Sequence, residues 1–229
     1  MVQKFTILFD LDGTLVDTAP DLMNAHNYVM KKYGFETKTT EDIRQLVGKG
    51  ASSLIGRSVW GQAKKEFGQI SDQGIKREMV KDFIDYYAKN ISAESKLVKG
   101  VLEFLNWAKK NNISMGVCTN KQEHLAISLL KQIKIYDYFE YVAGSNTFDY
   151  CKPDPKHLTS TVEIMGGDVK NCIMIGDSEN DADAARAAGM PMILLEDGYT
   201  DKKVEQIHHD HLVKNFVGMD KIISKYLND

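Results

Sequence analysis

The chain has 229 residues, 43% of them hydrophobic, which suffices for one large domain or for a core with a smaller module. Its 29 basic and 32 acidic residues give a formal net charge of −3, which argues against a general nucleic-acid binder because such proteins usually carry a basic surplus. The sequence shows neither an apolar run of the ~20 residues needed to span a bilayer nor a recognisable signal peptide, so we expect a cytoplasmic protein without a membrane partner.

Five short and nearly continuous apolar runs predict buried strands of a parallel sheet. In chain order, these runs cover residues 5–9, 113–118, 141–144, 172–176 and 191–195. Helical spacing between most of them predicts four helices, at residues 101–110, 122–133, 155–165 and 178–188. This alternation indicates βαβ units and an α/β fold with a Rossmann-like, doubly wound parallel sheet.

One segment interrupts the alternation, since residues 16–95 show helical patterns and no convincing strand. A first helix is expected to begin at Pro20 and to end near Gly34, which follows two lysines in "KKYGF". Residues 71–90 predict a second, amphipathic helix. Its apolar face would be formed by Ile75, Met79, Phe83 and either Tyr86 or Tyr87.

This interruption predicts two domains. Residues 16–95 would form a helical cap domain, inserted into a catalytic core made of residues 1–15 and 96–229. The hinges between the two domains are expected at residues 15–17 and 95–100.

Polar side chains follow several of the predicted strands, at the edge where open α/β sheets bind their ligands. In chain order they are Asp10, Asp12, Thr119, Asn120, Lys152, Asp177 and Asp181. Several carboxylates in one pocket repel one another unless a cation is present. Oxygen ligands without a nearby histidine or cysteine favour a hard cation, above all Mg²⁺.

A Mg²⁺ ion beside a lysine and a threonine suits a phosphoryl group, whose oxygens need positive charge and hydrogen-bond donors. Asp10 would be the nucleophile that forms an aspartyl-phosphate, and it would also bind the metal. Asp12 would protonate the departing alcohol and then activate the incoming water. Gly13 would permit a tight turn, and its amide could contact the phosphate.

The segments "FDLDGTLVDT", "CTN", "KPDP" and "GDSENDADAARAAG" resemble the four ordered motifs of the haloacid dehalogenase superfamily, and the resemblance spans the chain. It implies that Asp10 is the nucleophile and Asp12 the acid–base residue. It also implies that Thr119 binds phosphate with Asn120 beside it, and that Lys152 neutralises the phosphate and the nucleophile. With a second acid at Asp12, the chain resembles the phosphatases and phosphomutases of the superfamily, because the dehalogenases of the superfamily lack that residue.

The same resemblance implies how Mg²⁺ would be held. Asp10, the main-chain carbonyl of Asp12 and Asp177 would be its ligands. Asp181 would complete the metal site by orienting Lys152 or a metal-bound water.

Within the superfamily, "DTAPD", "VGKGASSLIGRSV" and "EDGYT" are most similar to bacterial phosphoglycolate phosphatases. This similarity implies a cap that closes over a small phosphorylated metabolite, with 2-phosphoglycolate released as glycolate and phosphate. It also implies that the loop formed by Gly48, Lys49 and Gly50 dips into the site, and that Lys49 or Arg57 meets the substrate carboxylate.

Several alternatives stay open at this point. The same scaffold could carry a pyrophosphatase, another small-molecule phosphatase or a phosphomutase, although no additional cap residues for a mutase are evident. A catalytically silent binding module is a further alternative, but it would not need both Asp10 and Asp12. The sequence does not decide between a monomer and a homodimer.

The remaining histidines and cysteines have simpler interpretations. The cysteines are odd in number and widely spaced, which predicts small buried residues or free thiols in a reducing compartment rather than a disulfide framework or a zinc site. The "HHDH" cluster at residues 208–211 lies outside the motifs and is expected in a solvated helix end or loop. His124 and His157 are expected on helix surfaces.

Overall fold

The computed structural model describes residues 4–66 and 73–227. The strands in these ranges are β1 (Thr6–Phe9), β2 (Val16–Asp17), β3 (Lys96–Leu97), β4 (Ser114–Cys118), β5 (Tyr141–Ala143), β6 (Cys172–Gly176), β7 (Met192–Leu195) and β8 (His211–Val213). The helices are α1 (Ala19–Tyr33), α2 (Thr40–Leu46), α3 (Ala51–Glu66), α4 (Gln73–Lys89), α5 (Val101–Lys110), α6 (Glu123–Gln132), α7 (Lys156–Ile164), α8 (Glu179–Ala188) and α9 (Met219–Tyr226). None of these helices combines the length and the apolar character that crossing a bilayer requires.

A six-stranded parallel sheet of order β5–β4–β1–β6–β7–β8 lies at the centre of the fold. Strand β1 is central, and its last residue, Phe9, is level with Val117 of β4 and Ile175 of β6. The residues that follow these three strands therefore emerge together at one edge of the sheet. The predicted Rossmann-like α/β core is confirmed.

Burial on both faces explains why the strands have continuous apolar runs. Every residue of β1, β4, β6 and β7 is buried, as expected for a parallel sheet covered by helices on both sides. Ile7 and Phe9 pack into one apolar cluster, while Leu8 between them packs into a second cluster on the opposite face.

Three short strands were not predicted. Strand β8 pairs with β7 at the edge of the sheet, and His211 is its first residue. The expectation of a solvated helix end or loop for the "HHDH" cluster is therefore wrong for His211, whose Nε2 lies 3.1 Å from the hydroxyl of Tyr226. Strands β2 and β3 form a two-residue antiparallel ribbon, so the absence of a strand from the predicted cap is also wrong at Val16 and Asp17.

Helices α1 to α4 occupy the chain between β2 and β3, where a helical insertion was predicted. Helix α1 ends as expected, because Gly34 adopts a left-handed φ of 77° and donates its N–H to main-chain carbonyls of the last turn. On α4, Met79, Phe83 and Tyr87 are buried as expected, whereas Ile75, in the first turn of the helix, is 39% exposed.

The described residues do not test the predicted division into core and cap. The β2–β3 ribbon falls within both predicted hinge segments, and the domain boundaries stay a prediction. Residues 71 and 72, the first two positions of the predicted second cap helix, lie outside the described residues.

Candidate active site

Five side chains predicted to form the site meet at the carboxyl edge of the sheet. They belong to Asp10, Thr119, Lys152, Asp177 and Asp181, and all five are buried. The ammonium nitrogen of Lys152 lies 3.0 Å from Oδ1 of Asp10 and 2.6 Å from Oδ1 of Asp181. Burial alone would lower the pKa of Lys152, but the two carboxylates outweigh this effect and raise it above its usual range.

The acidic residues of this cluster carry more negative charge than Lys152 compensates. Asp10, Asp177 and Asp181 offer carboxylate oxygens that lie within 4.8 Å of one another. Burial raises the pKa of Asp10 to about 6, although Lys152 opposes that change. Burial, together with the charges of Asp10 and Asp181, also raises the pKa of Asp177 well above its usual range. A divalent cation would neutralise this excess charge.

The oxygens of the cluster are suited to a hard cation. Although Lys152 lies close to Oδ1 of Asp10, the two atoms are not aligned for hydrogen bonding, and this buried oxygen has no hydrogen-bond partner among the described residues. Asp181, by contrast, uses both oxygens: Oδ1 accepts from Lys152, and Oδ2 accepts from the main-chain N–H of Asp177 and from Ser178. The cluster therefore fits Mg²⁺, with an available oxygen on Asp10 and with Asp181 as the partner that orients Lys152.

Asp177 is held in place by groups from two distant parts of the chain. The hydroxyl of Thr14 donates to its Oδ1 at 2.8 Å, and the main-chain N–H of Tyr199 donates to its Oδ2 at 2.6 Å. Gly13 has a φ of 84°, and a Cβ atom there would lie 2.2 Å from Oδ2 of Asp177. Gly13 is therefore required both for its backbone conformation and for the space that it leaves to this carboxylate.

Asp12 points to a partner that the sequence analysis did not identify. The ammonium group of Lys121 lies 2.6 Å and 2.7 Å from its two carboxylate oxygens, and the hydroxyl of Thr18 donates to Oδ1 at 2.7 Å. Lys121 also donates to the hydroxyl of Tyr87 on α4 at 3.0 Å. Its position directly after Thr119 and Asn120, beyond the end of β4, was the signal in the sequence.

The loop at residues 48–50 contacts the carboxyl edge of the sheet, as its similarity to known cap loops implied. The carbonyl of Gly48 accepts hydrogen bonds from the side-chain amides of Asn120 at 3.0 Å and Asn180 at 3.2 Å. The second N–H of the Asn120 amide donates to the carbonyl of Lys152 at 2.9 Å. Lys49 forms an ion pair with Glu179 at 3.2 Å.

Arg57 and His157 differ from their predicted surroundings. The guanidinium of Arg57 lies 2.6 Å from Asp201, and Arg57 does not line the cavity beside Asp10. His157 is fully buried rather than on a helix surface, because its face of α7 packs against the sheet. Its Nδ1 accepts the main-chain N–H of Lys152 at 3.2 Å. The other predicted surface histidine, His124, is exposed on α6 as expected.

A cavity of about 280 Å³ opens above Asp10. One end of it is polar and is lined by Asp10, Asp12, Thr119, Asn120 and Lys121. Apolar side chains of the helices α1, α3, α4 and α6 also line the cavity, namely Leu22, Leu54, Val80, Phe83, Ile84 and Leu125. Lys49 and Cys151 also line the cavity, and all three cysteines carry free thiols.

Comparisons with known proteins agree with this arrangement. The family model described as haloacid dehalogenase-like hydrolase matches residues 7–195. A protein named phosphoglycolate phosphatase from Caulobacter vibrioides is 39% identical over 216 residues, which cover 94% of this chain and 89% of that protein. One of the same name from Agrobacterium fabrum is 37% identical over 95% of this chain and 94% of its own length. A crystal structure described as a predicted phosphoglycolate phosphatase from Haemophilus somnus superimposes with a TM-score of 0.90 at 28% identity, covering 97% of this chain and 99% of that chain.

Proposed function

Since the chain belongs to the haloacid dehalogenase-like hydrolase family and is one of its phosphatases, we propose that it hydrolyses 2-phosphoglycolate with Mg²⁺ through an aspartyl-phosphate. One observation supports the mechanism above all others. Asp10 lies at the floor of the cavity, beside the hydroxyl of Thr119, the ammonium group of Lys152 and a buried pair of further carboxylates. A nucleophile, hydrogen-bond donors for the phosphoryl oxygens and a cation site thus lie in one cluster of side chains.

In the first step of this mechanism, an oxygen of Asp10 attacks the phosphorus atom of the ester. Thr119 and Lys152 contact the phosphoryl oxygens while the ester bond breaks. Asp12 gives a proton to the departing alcohol. In the second step, Asp12 takes a proton from water, which attacks the aspartyl-phosphate and releases phosphate.

Mg²⁺ would be held by Asp10, the main-chain carbonyl of Asp12 and Asp177, where it would neutralise the carboxylates and draw negative charge from the phosphoryl oxygens. The buried Oδ1 of Asp10, which has no hydrogen-bond partner among the described residues, supports this assignment. Lys152, oriented by Asp181, supplies the second positive charge, 3.0 Å from the same oxygen of Asp10.

The names of the relatives and the position of Lys49 support 2-phosphoglycolate as the substrate. Lys49 lines the cavity, and its ammonium group could exchange Glu179 for the carboxylate of the substrate. Arg57 has a smaller part in this proposal because it lies outside the cavity lining. A cytoplasmic location stays a prediction, and so does the choice between monomer and homodimer.

Phosphate release from a panel of small phosphate esters tests the proposal. The panel should include 2-phosphoglycolate, 2-phospholactate, glycerol 3-phosphate, glucose 6-phosphate and pyrophosphate, each with EDTA and with Mg²⁺ restored. We expect the highest kcat/KM for 2-phosphoglycolate, no turnover in EDTA, and recovery with Mg²⁺. A preference for pyrophosphate or glucose 6-phosphate would favour one of the alternative activities on this scaffold.

A matched pair of variants tests the nucleophile. Asp10→Asn should abolish turnover while preserving the circular dichroism spectrum, because an amide cannot form the aspartyl-phosphate. Asp183→Asn is the control, since Asp183 is exposed on α8. Full activity in Asp10→Asn would refute the mechanism.

A further inference from the structure

The cavity is larger and more apolar than 2-phosphoglycolate requires. Its volume of about 280 Å³ is close to the lower limit of ~300–1,000 Å³ for pockets that hold drug-sized ligands. The phosphoryl group would occupy the polar end, beside Asp10 and Thr119. The leaving group would then extend towards the helices α1, α3 and α4, whose lining side chains are mainly apolar, with Ser52 and Tyr87 as the polar ones.

The apolar wall is a continuous surface. Val80, Phe83, Ile84 and Tyr87 all line the cavity, and their spacing places them on one face of α4. Leu54 of α3 also lines the cavity. A carboxylate placed against Val80, Phe83 and Ile84 would lose its hydration without gaining a hydrogen bond, which is unfavourable.

The positive charges that line the cavity already have partners. Among the described lining residues, Lys49 and Lys121 carry the cationic side chains. Lys121 is bound to Asp12 at 2.6 Å, and Lys49 is bound to Glu179 at 3.2 Å. Recognition of a carboxylate therefore requires an exchange of ion pairs, whereas an apolar leaving group requires none.

We propose that this protein also hydrolyses phosphate monoesters of apolar alcohols, with an aryl or branched alkyl group bound against Val80, Phe83 and Ile84. This inference depends on the phosphatase mechanism proposed above and not on 2-phosphoglycolate as the substrate. The ester P–O bond breaks as the phosphoryl group passes to Asp10, and the alcohol leaves with a proton from Asp12. Water then releases phosphate from Asp10, so the products are the apolar alcohol and inorganic phosphate.

Benzyl phosphate is a suitable probe because its leaving group is apolar and is not chemically activated. With the full chain and Mg²⁺, we expect kcat/KM for benzyl phosphate to exceed that for glycerol 3-phosphate, a hydroxylated ester, by ~10-fold or more. Equal or lower values for benzyl phosphate would overturn the inference.

Substitutions on α4 test where the aryl group binds. Val80→Thr keeps the shape of the side chain but replaces a methyl group by a hydroxyl group, so it should lower the ratio of kcat/KM for benzyl phosphate to that for 2-phosphoglycolate by ~10-fold. Ile84→Thr is a second variant with the same expected direction. The matched control is Ile75→Thr, because Ile75 lies on α4 outside the cavity lining and is 39% exposed. Equal ratios in all three variants would overturn the inference.

The same measurements distinguish this inference from the proposed substrate. Hydrolysis of benzyl phosphate without hydrolysis of 2-phosphoglycolate would support the inference and refute the proposed substrate. Hydrolysis of 2-phosphoglycolate alone would overturn the inference and leave the proposed function standing. Failure to hydrolyse any ester would overturn both.

Discussion

His157 should make the stability of this protein depend on pH between 4 and 6.5. The side chain is fully buried, and its Nδ1 accepts the main-chain N–H of Lys152. A protonated imidazole carries hydrogen on both nitrogens and cannot accept this bond. Burial first, and then the charge of Lys152, lower the pKa of His157 from 6.5 to about 4, although the main chain of Gly144 and the carboxylates of Asp181 and Asp154 oppose the change.

The direction and the size of the effect follow from this pKa. Below pH 6.5 the unfolded chain takes up a proton at His157, whereas the folded chain does so only near pH 4. The stability associated with this pKa difference is therefore fully present above pH 6.5 and is lost as the pH falls towards 4. The difference between the two pKa values corresponds to roughly 3 kcal/mol of unfolding free energy.

Urea unfolding of the wild type and of His157→Asn, measured at intervals from pH 7 to pH 4, tests this prediction. An asparagine oxygen can still accept the N–H of Lys152, but asparagine does not titrate. The difference in unfolding free energy between the two proteins should therefore shift by ~3 kcal/mol in favour of the variant as the pH falls.

The control for this experiment is His124→Asn, because His124 is exposed on α6. Its unfolding free energy should stay parallel to that of the wild type over the same range. If the curves of His157→Asn and the wild type are also parallel, His157 is not a buried neutral acceptor and the reasoning fails.

Three further substitutions test the site and its supports. Gly13→Ala would force a methyl group against the carboxylate of Asp177, so kcat should fall at least ~100-fold and the Mg²⁺ concentration needed for half-maximal activity should rise. The control is Gly189→Ala, which should retain activity because Gly189 also has a positive φ but has open space around it. Lys49→Met should raise KM for 2-phosphoglycolate by ~10-fold and that for benzyl phosphate much less, and equal effects would contradict the assigned carboxylate contact. Lys121→Met removes the ammonium partner of Asp12, so kcat should fall ~100-fold. Urea unfolding should show that the unfolding free energy falls by ~3 kcal/mol. A fully active variant would refute a positioning role for this lysine.

The sequence was most informative where local chemistry and sheet geometry act together. Residues directly after parallel strands must share one edge, so the convergence of Asp10, Thr119 and Asp177 could be predicted without coordinates. The long, buried strands were equally recognisable because both of their faces need apolar side chains. Strands β2, β3 and β8 have two or three residues each, and one of these is Asp, Lys or His, so no apolar run marks them and their pairing depends on distant segments.

The other contacts of the site could not be predicted because the sequence does not show in which direction a side chain points. Lys121 adjoins two predicted site residues, yet only the packing of α4 over the core shows that it reaches Asp12 and Tyr87. Lys49 and Arg57 are similar in charge and lie close together in the sequence, but Lys49 lines the cavity and Arg57 binds Asp201. Local sequence does not encode such differences, because they arise where separate helices meet.

The two amides that hold the carbonyl of Gly48 have a consequence for the loop at residues 48–50. Any displacement of this loop from the edge of the sheet exchanges both hydrogen bonds for hydrogen bonds to water. Two such exchanges cost roughly 1–3 kcal/mol in total, which favours the docked arrangement of the loop by a factor of about 5 to 150. The two amides therefore hold the loop at the edge of the sheet where Asp10 lies, and they do so without any input of chemical energy.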